Sequence, residues 1–346
     1  MACILKIVKR KGVRDKSSRE GRVVRGQRST SAWGILLAGG DGTRLQALTT
    51  RIEGDARPKQ FCRMLGDETL LTQTRRRISL LFDVDKMITV VTKKHEQFYS
   101  RELNDWPRTA VFAQPENRGT GVAIATAILM LRELDPEAIV AAFPCDHHYS
   151  NEHAFFEVVE AAILIARDNS GSIVLLGAEA TYPETEYGWI EPVRAVRNGD
   201  SFAPARVRQF WEKPTLATAQ DLFRRGCLWN TFVTIGRASA FIDVLCNAAA
   251  NPMIRLTAGI LENDLVSAYR STPPIDFSRD ILASQPERLL VIGDAASGWT
   301  DLGNPNRVLS TLAREKIAPP WLGSIREPEI PEASSHLKIE QPRVVR

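Results

Sequence analysis

The stretch Trp33-Gly-Ile-Leu-Leu-Ala-Gly-Gly-Asp-Gly-Thr-Arg-Leu45 decides the fold of this chain. Its first half is a short apolar run that ends in glycines, which predicts a buried parallel strand entering a loop. Three glycines in the four positions from Gly39 to Gly42 let the backbone approach a ligand, and exposed N–H groups can hold phosphate oxygens. Arg44 adds a planar cation for the same anion. The sequence therefore predicts a phosphate-binding loop directly after the first strand.

Two common phosphate-binding loops do not match this stretch. Its glycine spacing is not G-x-G-x-x-G, and no acidic residue ends a second strand about twenty residues further on, as a dinucleotide site requires. No Gly-Lys-Ser/Thr sequence follows, which excludes a Walker A loop. The spacing therefore disfavours an oxidoreductase on a Rossmann fold.

Strands and helices alternate from this loop to about residue 180. Apolar runs predict strands, and helical periodicity predicts the helices between them. The predicted strands are Met87–Thr92, Ala110–Ala113, Ile139–Phe143 and Ile173–Gly177, and the predicted helices are Leu70–Leu81, His95–Leu103, Gly121–Leu134 and His153–Arg167. This alternation predicts an α/β fold: a Rossmann-like, doubly wound, mostly parallel sheet with a ligand site at the C-terminal ends of the strands.

The pattern changes after residue 180. Two predicted strands, Tyr187–Val196 and Arg206–Trp211, follow each other without a helix between them, which indicates an antiparallel insertion. The later predicted elements are helices at Ala217–Arg225, Ser239–Asn247 and Leu256–Tyr269 and a strand at Arg288–Ile292. We therefore expect one large domain over residues 32–317, with halves at about 32–180 and about 181–317. It lies between a basic arm (1–31) and a Pro-rich irregular tail (318–346).

The charge of the chain is concentrated in the arm. The formal net charge is +4, but residues 1–30 hold ten Lys or Arg against two acidic residues, which leaves the remainder at −4. We therefore expect no specific nucleic-acid function, and deletion of residues 1–30 should leave activity intact. The arm fits a disordered extension or an organelle transit peptide, and the lack of an amphipathic period favours the extension. The sequence contains no run of eighteen apolar residues, so it predicts no membrane-spanning helix.

The five cysteines are odd in number and widely spaced, and none forms a C-x-x-C pair. This distribution argues against a disulfide framework and against a zinc site, and it favours a reducing compartment. The N-terminus has no apolar segment behind a charged one, as a secretory signal would have. We therefore expect a cytoplasmic protein.

A second motif, Arg57-Pro-Lys-Gln-Phe61, gives the sequence a family resemblance. Together with Leu37–Leu45 it resembles the nucleotide-binding pair of the sugar-phosphate nucleotidyltransferases, and most closely that of the mannose-1-phosphate guanylyltransferases. Further motifs follow in the family's order over about Trp33–Leu309. They are Gln114–Thr120, Phe143–His147, Tyr187–Glu191, Phe210–Pro214, Leu228–Asn230 and Trp299–Gly303. The resemblance implies the nucleotide-diphospho-sugar transferase fold, with the antiparallel insertion binding the sugar.

The resemblance also implies a reaction. A phosphate oxygen of mannose 1-phosphate would attack the α-phosphate of GTP in line, giving GDP-mannose and pyrophosphate with Mg²⁺ as cofactor. Such a transfer depends on alignment and on neutralisation of clustered negative charge. The implied catalytic residues are Arg44, Lys59, Asp146, Lys213 and Asp301.

The binding residues implied by the resemblance fall into three sets. Those for the nucleotide are Leu37, Ala38, Gly39, Gly40, Gly42, Thr43, Arg44, Lys59, Gln114 and Gly119. Those for the sugar phosphate are Gly188, Glu191, Glu212, Lys213 and Asn230, and those for the metal are Asp146 and Asp301.

The residue types agree with the metal assignment. Asp146 follows an apolar strand and Asp301 follows a late one, and two carboxylates with phosphate oxygens and water suit Mg²⁺. Each aspartate taken alone also fits a turn or helix cap. The adjacent His147 and His148 do not indicate zinc, because neighbouring side chains on an extended segment point to opposite sides.

One departure from the family leaves the substrate open. Gly119 stands where the guanylyltransferases usually have asparagine, so the base loses a side-chain donor and acceptor. The same chemistry with another pair, such as glucose 1-phosphate with dTTP or UTP, is an alternative. A catalytically silent homologue that binds a nucleotide sugar and regulates a partner is another. The sequence also leaves homo-oligomerisation open.

Overall fold

A nine-stranded sheet runs through both predicted halves of the domain. The computed structural model describes residues 32–107, 110–196 and 202–324, so the predicted arm and the tail beyond residue 324 lie outside the described residues. The strands are β1 (Ala32–Leu37), β2 (Met87–Thr92), β3 (Val111–Gln114), β4 (Ile139–Pro144), β6 (Ile173–Glu179), β7 (Gly188–Pro192), β8 (Ala205–Glu212), β9 (Leu228–Arg237) and β10 (Leu289–Asp294). Two short strands, β5 (His148–Tyr149) and β11 (Trp299–Thr300), pair with each other beside it.

The strand order is β3-β2-β1-β4-β9-β6-β10-β8-β7, and β7 also pairs with β9. The pairs β3–β2, β2–β1, β1–β4 and β6–β10 are parallel. The strands β7, β8 and β9 form the antiparallel part. Seven of the nine strands run in the same direction, and β8 and β9 run opposite to them. The predicted α/β class, the mostly parallel strand direction and the antiparallel insertion are therefore confirmed.

Helices cover both faces of the sheet. They are α1 (Gln46–Glu53), α2 (Leu70–Ile78), α3 (Glu96–Tyr99), α4 (Gly119–Arg132), α5 (Glu152–Asp168), α6 (Leu216–Arg224), α7 (Ala238–Leu261), α8 (Leu265–Ser271) and α9 (Pro305–Glu315). Residues of β1 alternate between two apolar cores, because successive side chains of a strand point to opposite faces. Leu36 packs with α2 and α5, whereas Ile35 packs with α4 and α7. A smaller cluster joins α1 to α9.

Several elements differ from the sequence prediction. β9 was predicted only as the motif Leu228–Asn230, and it is a ten-residue strand between β4 and β6. The predicted helix Leu256–Tyr269 covers the end of α7 and most of α8, and the two are separate because Asn263 has a positive φ and the Asp264 side chain caps α8. Helices α1 and α9 were not predicted.

Among the described residues, α7 is the one helix long and apolar enough to cross a membrane by length and composition alone. It departs from helical geometry at Ala249 and contains Pro252. Its apolar residues Phe241, Val244 and Leu256 are buried in the core that α4 shares. About a third of its most apolar window is buried, 33%. The absence of a membrane span stays a prediction.

Candidate active site

A cavity of about 540 Å³ opens where the C-terminal ends of β1 and β4 meet the antiparallel insertion. Residues from all three predicted binding sets line it. Those that do are Leu37, Gly39, Gly40, Arg44, Gln114, Gly119, Asp146, Gly188, Glu212, Lys213, Asn230 and Asp301. The fold therefore brings the predicted nucleotide loop and most of the predicted sugar residues to one site.

The carbonyl groups of the glycine-rich loop accept hydrogen bonds from the side chains of Gln60 and Thr92. Gln60 Nε2 donates to the carbonyl oxygens of Ala38 and Gly40 at 3.0 and 2.7 Å. Thr92 Oγ1 donates to the carbonyl oxygen of Gly39 at 2.8 Å. In a trans peptide the next N–H points opposite to the carbonyl, so the N–H groups of residues 39–41 point away from Gln60 and Thr92. This orientation gives the loop donors for an anion.

The rest of the loop is packed against the Arg57–Phe61 motif. Gly42 has φ +62°, and a Cβ there would lie 2.9 Å from the backbone nitrogen of Lys59. Ala38 is buried beneath the loop, and Thr43 faces a neighbouring cavity of about 420 Å³. These two residues and Gly42 are therefore placed to shape the loop, whereas Gly39 and Gly40 border the main cavity.

Lys59 lies between the two predicted metal ligands. Its Nζ is 3.2 Å from Asp146 Oδ2 and donates to the carbonyl oxygen of Asp301 at 2.7 Å. The side chain is largely buried, so this ammonium charge is only weakly screened by solvent. The structure therefore brings together three of the predicted catalytic residues, although Asp146 and Asp301 are 155 positions apart in the chain.

The Asp301 carboxylate is held by three donors on one oxygen. Oδ1 accepts from the Tyr187 hydroxyl at 3.1 Å, from Arg307 Nη1 at 2.7 Å and from the Gly303 N–H at 2.8 Å. Burial by itself raises the pKa of Asp301, but the positive charges of Lys59 and Arg307 outweigh it and hold that pKa below 3.8. The carboxylate is therefore ionised, and Oδ2 takes none of these three bonds.

Arg307 is a residue of the site that belongs to none of the predicted sets. Asn304 caps α9 and Pro305 occupies its first turn, which places Arg307 where its guanidinium stacks over Tyr187 at 4.3 Å. Besides Asp301, it binds Glu184 at 2.7 Å and Glu186 at 2.6 Å.

Glu186 extends this network toward the nucleotide loop. Arg44 lies 3.8 Å from Glu186, which also contacts Arg307. A chain of charges therefore runs from the predicted triphosphate cation to the predicted metal ligand. No sequence signal marks Arg307, because its role depends on contacts that only the fold creates.

The donors present fit a magnesium ion. No group of three or more His, Cys, Asp and Glu side chains within the described ranges is arranged to hold a metal. Magnesium needs no such group, since it is usually bound by one or two carboxylates with phosphate oxygens and water. Both Asp146 and Asp301 line the cavity, and their carboxylates could hold such an ion. Lys59 contacts the Asp146 carboxylate and the main-chain carbonyl of Asp301.

Gln114 and Gly119 form the part of the cavity predicted to face the base. Gln114 is buried, and its Oε1 lies 3.4 Å from the Tyr269 hydroxyl. Gly119 has φ +83°, and a Cβ there would overlap the carbonyl oxygen of Ile275. The Gly119 N–H donates to Asn117 Oδ1 at 2.9 Å. Glycine at this position therefore lets the backbone near Ile275 close over the loop.

Three of the predicted sugar residues surround Gly188. A Cβ on Gly188 would lie 3.0 Å from Glu212 Oε2 and 3.3 Å from Asn230 Cβ, so glycine allows this close approach. Burial raises the pKa of Glu212, with the Lys213 charge opposing the shift. Lys213 lines the same cavity, and its Nζ lies 3.4 Å from Glu212.

Glu191 is the predicted sugar ligand that the fold does not bring to this cavity. Its carboxylate is paired with Arg225 at 2.7 Å and lies 3.7 Å from Arg208. Gly188 and Ile190 share one face of β7, and Glu191 therefore falls on the other. Its placement supports a role in packing the insertion and gives no support to sugar binding.

Three residues with strained backbone border the site. Lys213, Phe232 and Leu302 have φ values of 46°, 65° and 50°, which residues other than glycine rarely adopt. Lys213 and Phe232 line the cavity, and Leu302 follows Asp301 directly. Such strain persists only where surrounding contacts impose it, and it is frequent at functional sites.

His147 is fixed beside Asp146. Its Nδ1 accepts a hydrogen bond from the indole N–H of Trp299 at 3.0 Å, and its Nε2 lies 3.7 Å from Asp146 Oδ1. Burial lowers the pKa of His147 below 6.5, against the opposing charge of Asp146, so the ring is neutral. The hydrogen bond from Trp299 then requires the single ring proton to be on Nε2.

The fold and the site define the class of this protein. The chain belongs to the nucleotidyl transferase family, whose sequence profile matches residues 33–315. The family that the motifs predicted is therefore confirmed.

Its relatives are named more specifically. The chain is 28% identical to the alginate biosynthesis protein AlgA of Pseudomonas aeruginosa, over 81% of this chain and 58% of AlgA. It is also 28% identical to an Escherichia coli protein named mannose-1-phosphate guanylyltransferase, over 78% of this chain and 59% of that protein. The chain therefore spans less than two thirds of the length of these relatives.

A solved structure shares the fold. It is described as a mannose-1-phosphate geranyltransferase from Thermus thermophilus and matches with a TM-score of 0.68 at 25% identity. The match covers 81% of this chain and 80% of the Thermus chain. It supports the predicted nucleotide-diphospho-sugar transferase fold.

Proposed function

We propose that this chain transfers a guanylyl group from GTP to mannose 1-phosphate, producing GDP-mannose and pyrophosphate. One observation carries the proposal. The glycine-rich loop and the residues around Gly188 border the same cavity of about 540 Å³, with Asp146 and Asp301 on its wall and Lys59 between them. A nucleotide on the loop and a sugar phosphate beside Gly188 would meet at these charges.

The proposed reaction is a single displacement. A phosphate oxygen of mannose 1-phosphate forms a bond to the α-phosphorus of GTP, and the bond from that phosphorus to the bridging β-phosphate oxygen breaks. The electron pair of the broken bond leaves with pyrophosphate. Because the attacking oxygen is already ionised, no side chain has to remove a proton. The protein's contribution is alignment of the two phosphates and stabilisation of their charge.

The nucleotide half would bind the triphosphate. The N–H groups of residues 39–41 supply fixed donors, and Arg44 supplies a cation on the cavity wall. Lys59 would neutralise charge close to the reacting phosphate. Asp146 and Asp301 would hold a magnesium ion, which neutralises developing charge on the phosphates when it is bound.

The insertion would bind the sugar phosphate. Glu212 and Asn230 flank the open face of Gly188 and can accept hydrogen bonds from adjacent hydroxyl groups. Lys213, on the same wall, carries the charge for the sugar's phosphate. Its backbone N–H donates to the carbonyl oxygen of Tyr187 at 3.2 Å, which ties the end of β8 to the start of β7.

The choice of GTP and mannose 1-phosphate rests on the motifs and on the named Escherichia coli relative. One observation favours an alternative base: Gly119 has no side chain to offer the base, and the Ile275 carbonyl fills the space where one would lie. A second proposal is therefore the same transfer with a different pair, such as dTTP or UTP with glucose 1-phosphate.

A substrate panel tests both proposals. The chain is incubated with Mg²⁺ and each combination of GTP, ATP, UTP or dTTP with mannose 1-phosphate or glucose 1-phosphate, and pyrophosphate release is measured. We expect the highest kcat/KM with GTP and mannose 1-phosphate, with GDP-mannose identified by mass. Preference for another pair would select the alternative. No pyrophosphate with any pair, together with measurable nucleotide-sugar binding, would support a regulatory homologue.

A further inference from the structure

A second cavity lies on the other side of one wall of the substrate cavity. Its volume is about 600 Å³, and it lies between the segment that follows β6 and helix α9. Tyr187 and Trp299 are the lining residues that it shares with the substrate cavity. Arg307 lines only the second cavity, although its guanidinium binds Asp301 on the other side. The two cavities are therefore separated by a wall about one side chain thick.

The charges in this cavity do not favour an anionic ligand. Two arginines line it, and both are already paired. Arg307 binds Asp301, Glu184 and Glu186, and Arg314 binds Glu315 at 2.9 Å. A phosphate group would have to displace these carboxylates to gain a cation. A nucleotide or a sugar phosphate is therefore a poor match for this cavity.

The remaining lining groups suit a neutral, hydroxyl-rich molecule. Tyr182 is 43% exposed, and its ring meets Trp229 edge-on at 4.9 Å, which leaves aromatic surface for the C–H face of a sugar. Thr181 and Ser310 add hydroxyl groups from opposite walls, and Asn306 adds an amide. The Trp229 indole N–H is buried without a hydrogen-bond partner among the residues that the structure describes.

We propose that this second cavity binds a neutral saccharide at a site separate from the substrate site. Stacking on the exposed Tyr182 ring and hydrogen bonds from hydroxyl and amide groups on the two walls would provide recognition. The proposal does not depend on the nucleotidyl transfer proposed above, because it concerns binding and not turnover.

Equilibrium binding to the full-length chain tests the proposal. D-Mannose, D-glucose and inorganic phosphate are titrated separately, with isothermal calorimetry and ligand-observed NMR as readouts. Ser310→Trp would fill the cavity from α9 without touching the substrate cavity, and Ser310→Ala is the matched control that leaves it open. Thr181→Trp fills the cavity from the opposite wall, in case Ser310→Trp fails to fold. Asn230→Ala alters only the substrate cavity.

We expect saturable binding of at least one of the two sugars. Its affinity should fall about tenfold or more in Ser310→Trp or Thr181→Trp and stay unchanged in Ser310→Ala and Asn230→Ala. Sugar binding that survives both tryptophan variants, or that Asn230→Ala removes, would assign the sugar to the substrate cavity and overturn the proposal. Absence of sugar binding would also overturn it. Phosphate binding that Ser310→Trp abolishes would show that the cavity is an anion site instead.

Discussion

Arg307 donates a hydrogen bond of 2.7 Å to Oδ1 of Asp301, the same oxygen that accepts a hydrogen bond from the Tyr187 hydroxyl. The guanidinium therefore fixes one carboxylate oxygen and leaves the other for a ligand. Arg307 itself does not line the substrate cavity, and it contacts that wall through Asp301, Glu186 and the Tyr187 ring. In the proposed reaction it is therefore a positioning residue, which would act on bound substrate through the Asp301 carboxylate.

Replacement of Arg307 by Gln should weaken the response to magnesium and destabilise the fold. The substitution leaves buried Glu184 without the Arg307 charge and leaves Asp301 with the charge of Lys59 alone, which should lower the free energy of unfolding by about 3 kcal/mol. It should raise the Mg²⁺ concentration for half-maximal activity about tenfold or more, as loss of a residue that orients a metal ligand does. Arg314→Gln, on the exposed side of the same helix, is the control. Equal magnesium responses in the two variants would contradict the positioning role.

Replacement of Asp301 by Asn should abolish turnover. The amide keeps the size of the side chain but removes the negative charge that would bind the metal, so kcat should fall by more than about 100-fold. Steady-state pyrophosphate release at several Mg²⁺ concentrations measures the effect. Asp221→Asn changes an exposed carboxylate of α6 that pairs with Arg225, and it should leave the kinetics unchanged. If Asp301→Asn keeps the parent magnesium dependence, Asp301 does not belong to the metal site.

Replacement of Gly119 by Ala should be more damaging than the same change at Gly226. Both glycines have positive φ, at 83° and 69°. A Cβ at Gly226 would meet none of the described residues within 4 Å, whereas one at Gly119 would overlap Ile275. Gly226→Ala should therefore cost about 1 kcal/mol, and Gly119→Ala about 2–3 kcal/mol. Urea unfolding measures both values. Only Gly119→Ala should raise the KM for nucleotide, and a matching rise in Gly226→Ala would rule out a local effect on the base loop.

The raised pKa of Glu212 should appear in the pH dependence of sugar binding. Only the ionised carboxylate accepts hydrogen bonds with both oxygens, so the KM for the sugar 1-phosphate should rise as the pH falls through this pKa, above 4.5. Because folding raises this pKa, ionisation of Glu212 opposes folding, and the free energy of unfolding should decrease as the pH rises through the same window. Glu212→Gln should remove both dependences. A KM that changes with pH in the same way in Glu212→Gln would assign the titration to another group.

Some site residues could be predicted because the few residues next to them in the sequence already indicate their role. Asp146 and Asp301 each follow an apolar segment and belong to motifs with a fixed order, and the structure brings both to Lys59. Arg307 had no such signal. Its role follows from the packing of α9 against Tyr187, which is 120 positions earlier in the chain.

The misplaced elements have physical reasons as well. β9 is buried along most of its length, but Asn230, Thr231 and Thr234 interrupt its apolar run, so the sequence shows neither a continuous run nor an alternation. The motif Tyr187–Glu191 assigns Glu191 to the sugar, and that role stays a prediction. Successive side chains of a strand point to opposite faces. Glu191, three positions after Gly188, therefore lies on the opposite face of β7, whatever the exact ends of that strand.

The hydrogen bond from Trp299 to His147 has a kinetic consequence. A neutral ring that accepts at Nδ1 and carries its proton on Nε2 has no lone pair left with which to take a proton. The imidazole beside Asp146 therefore cannot act as a base, although its position in the cavity would suit one. Turnover in heavy water should then show almost no solvent isotope effect on the chemical step. In the proposed reaction the site would position charges around the phosphates and would transfer no proton.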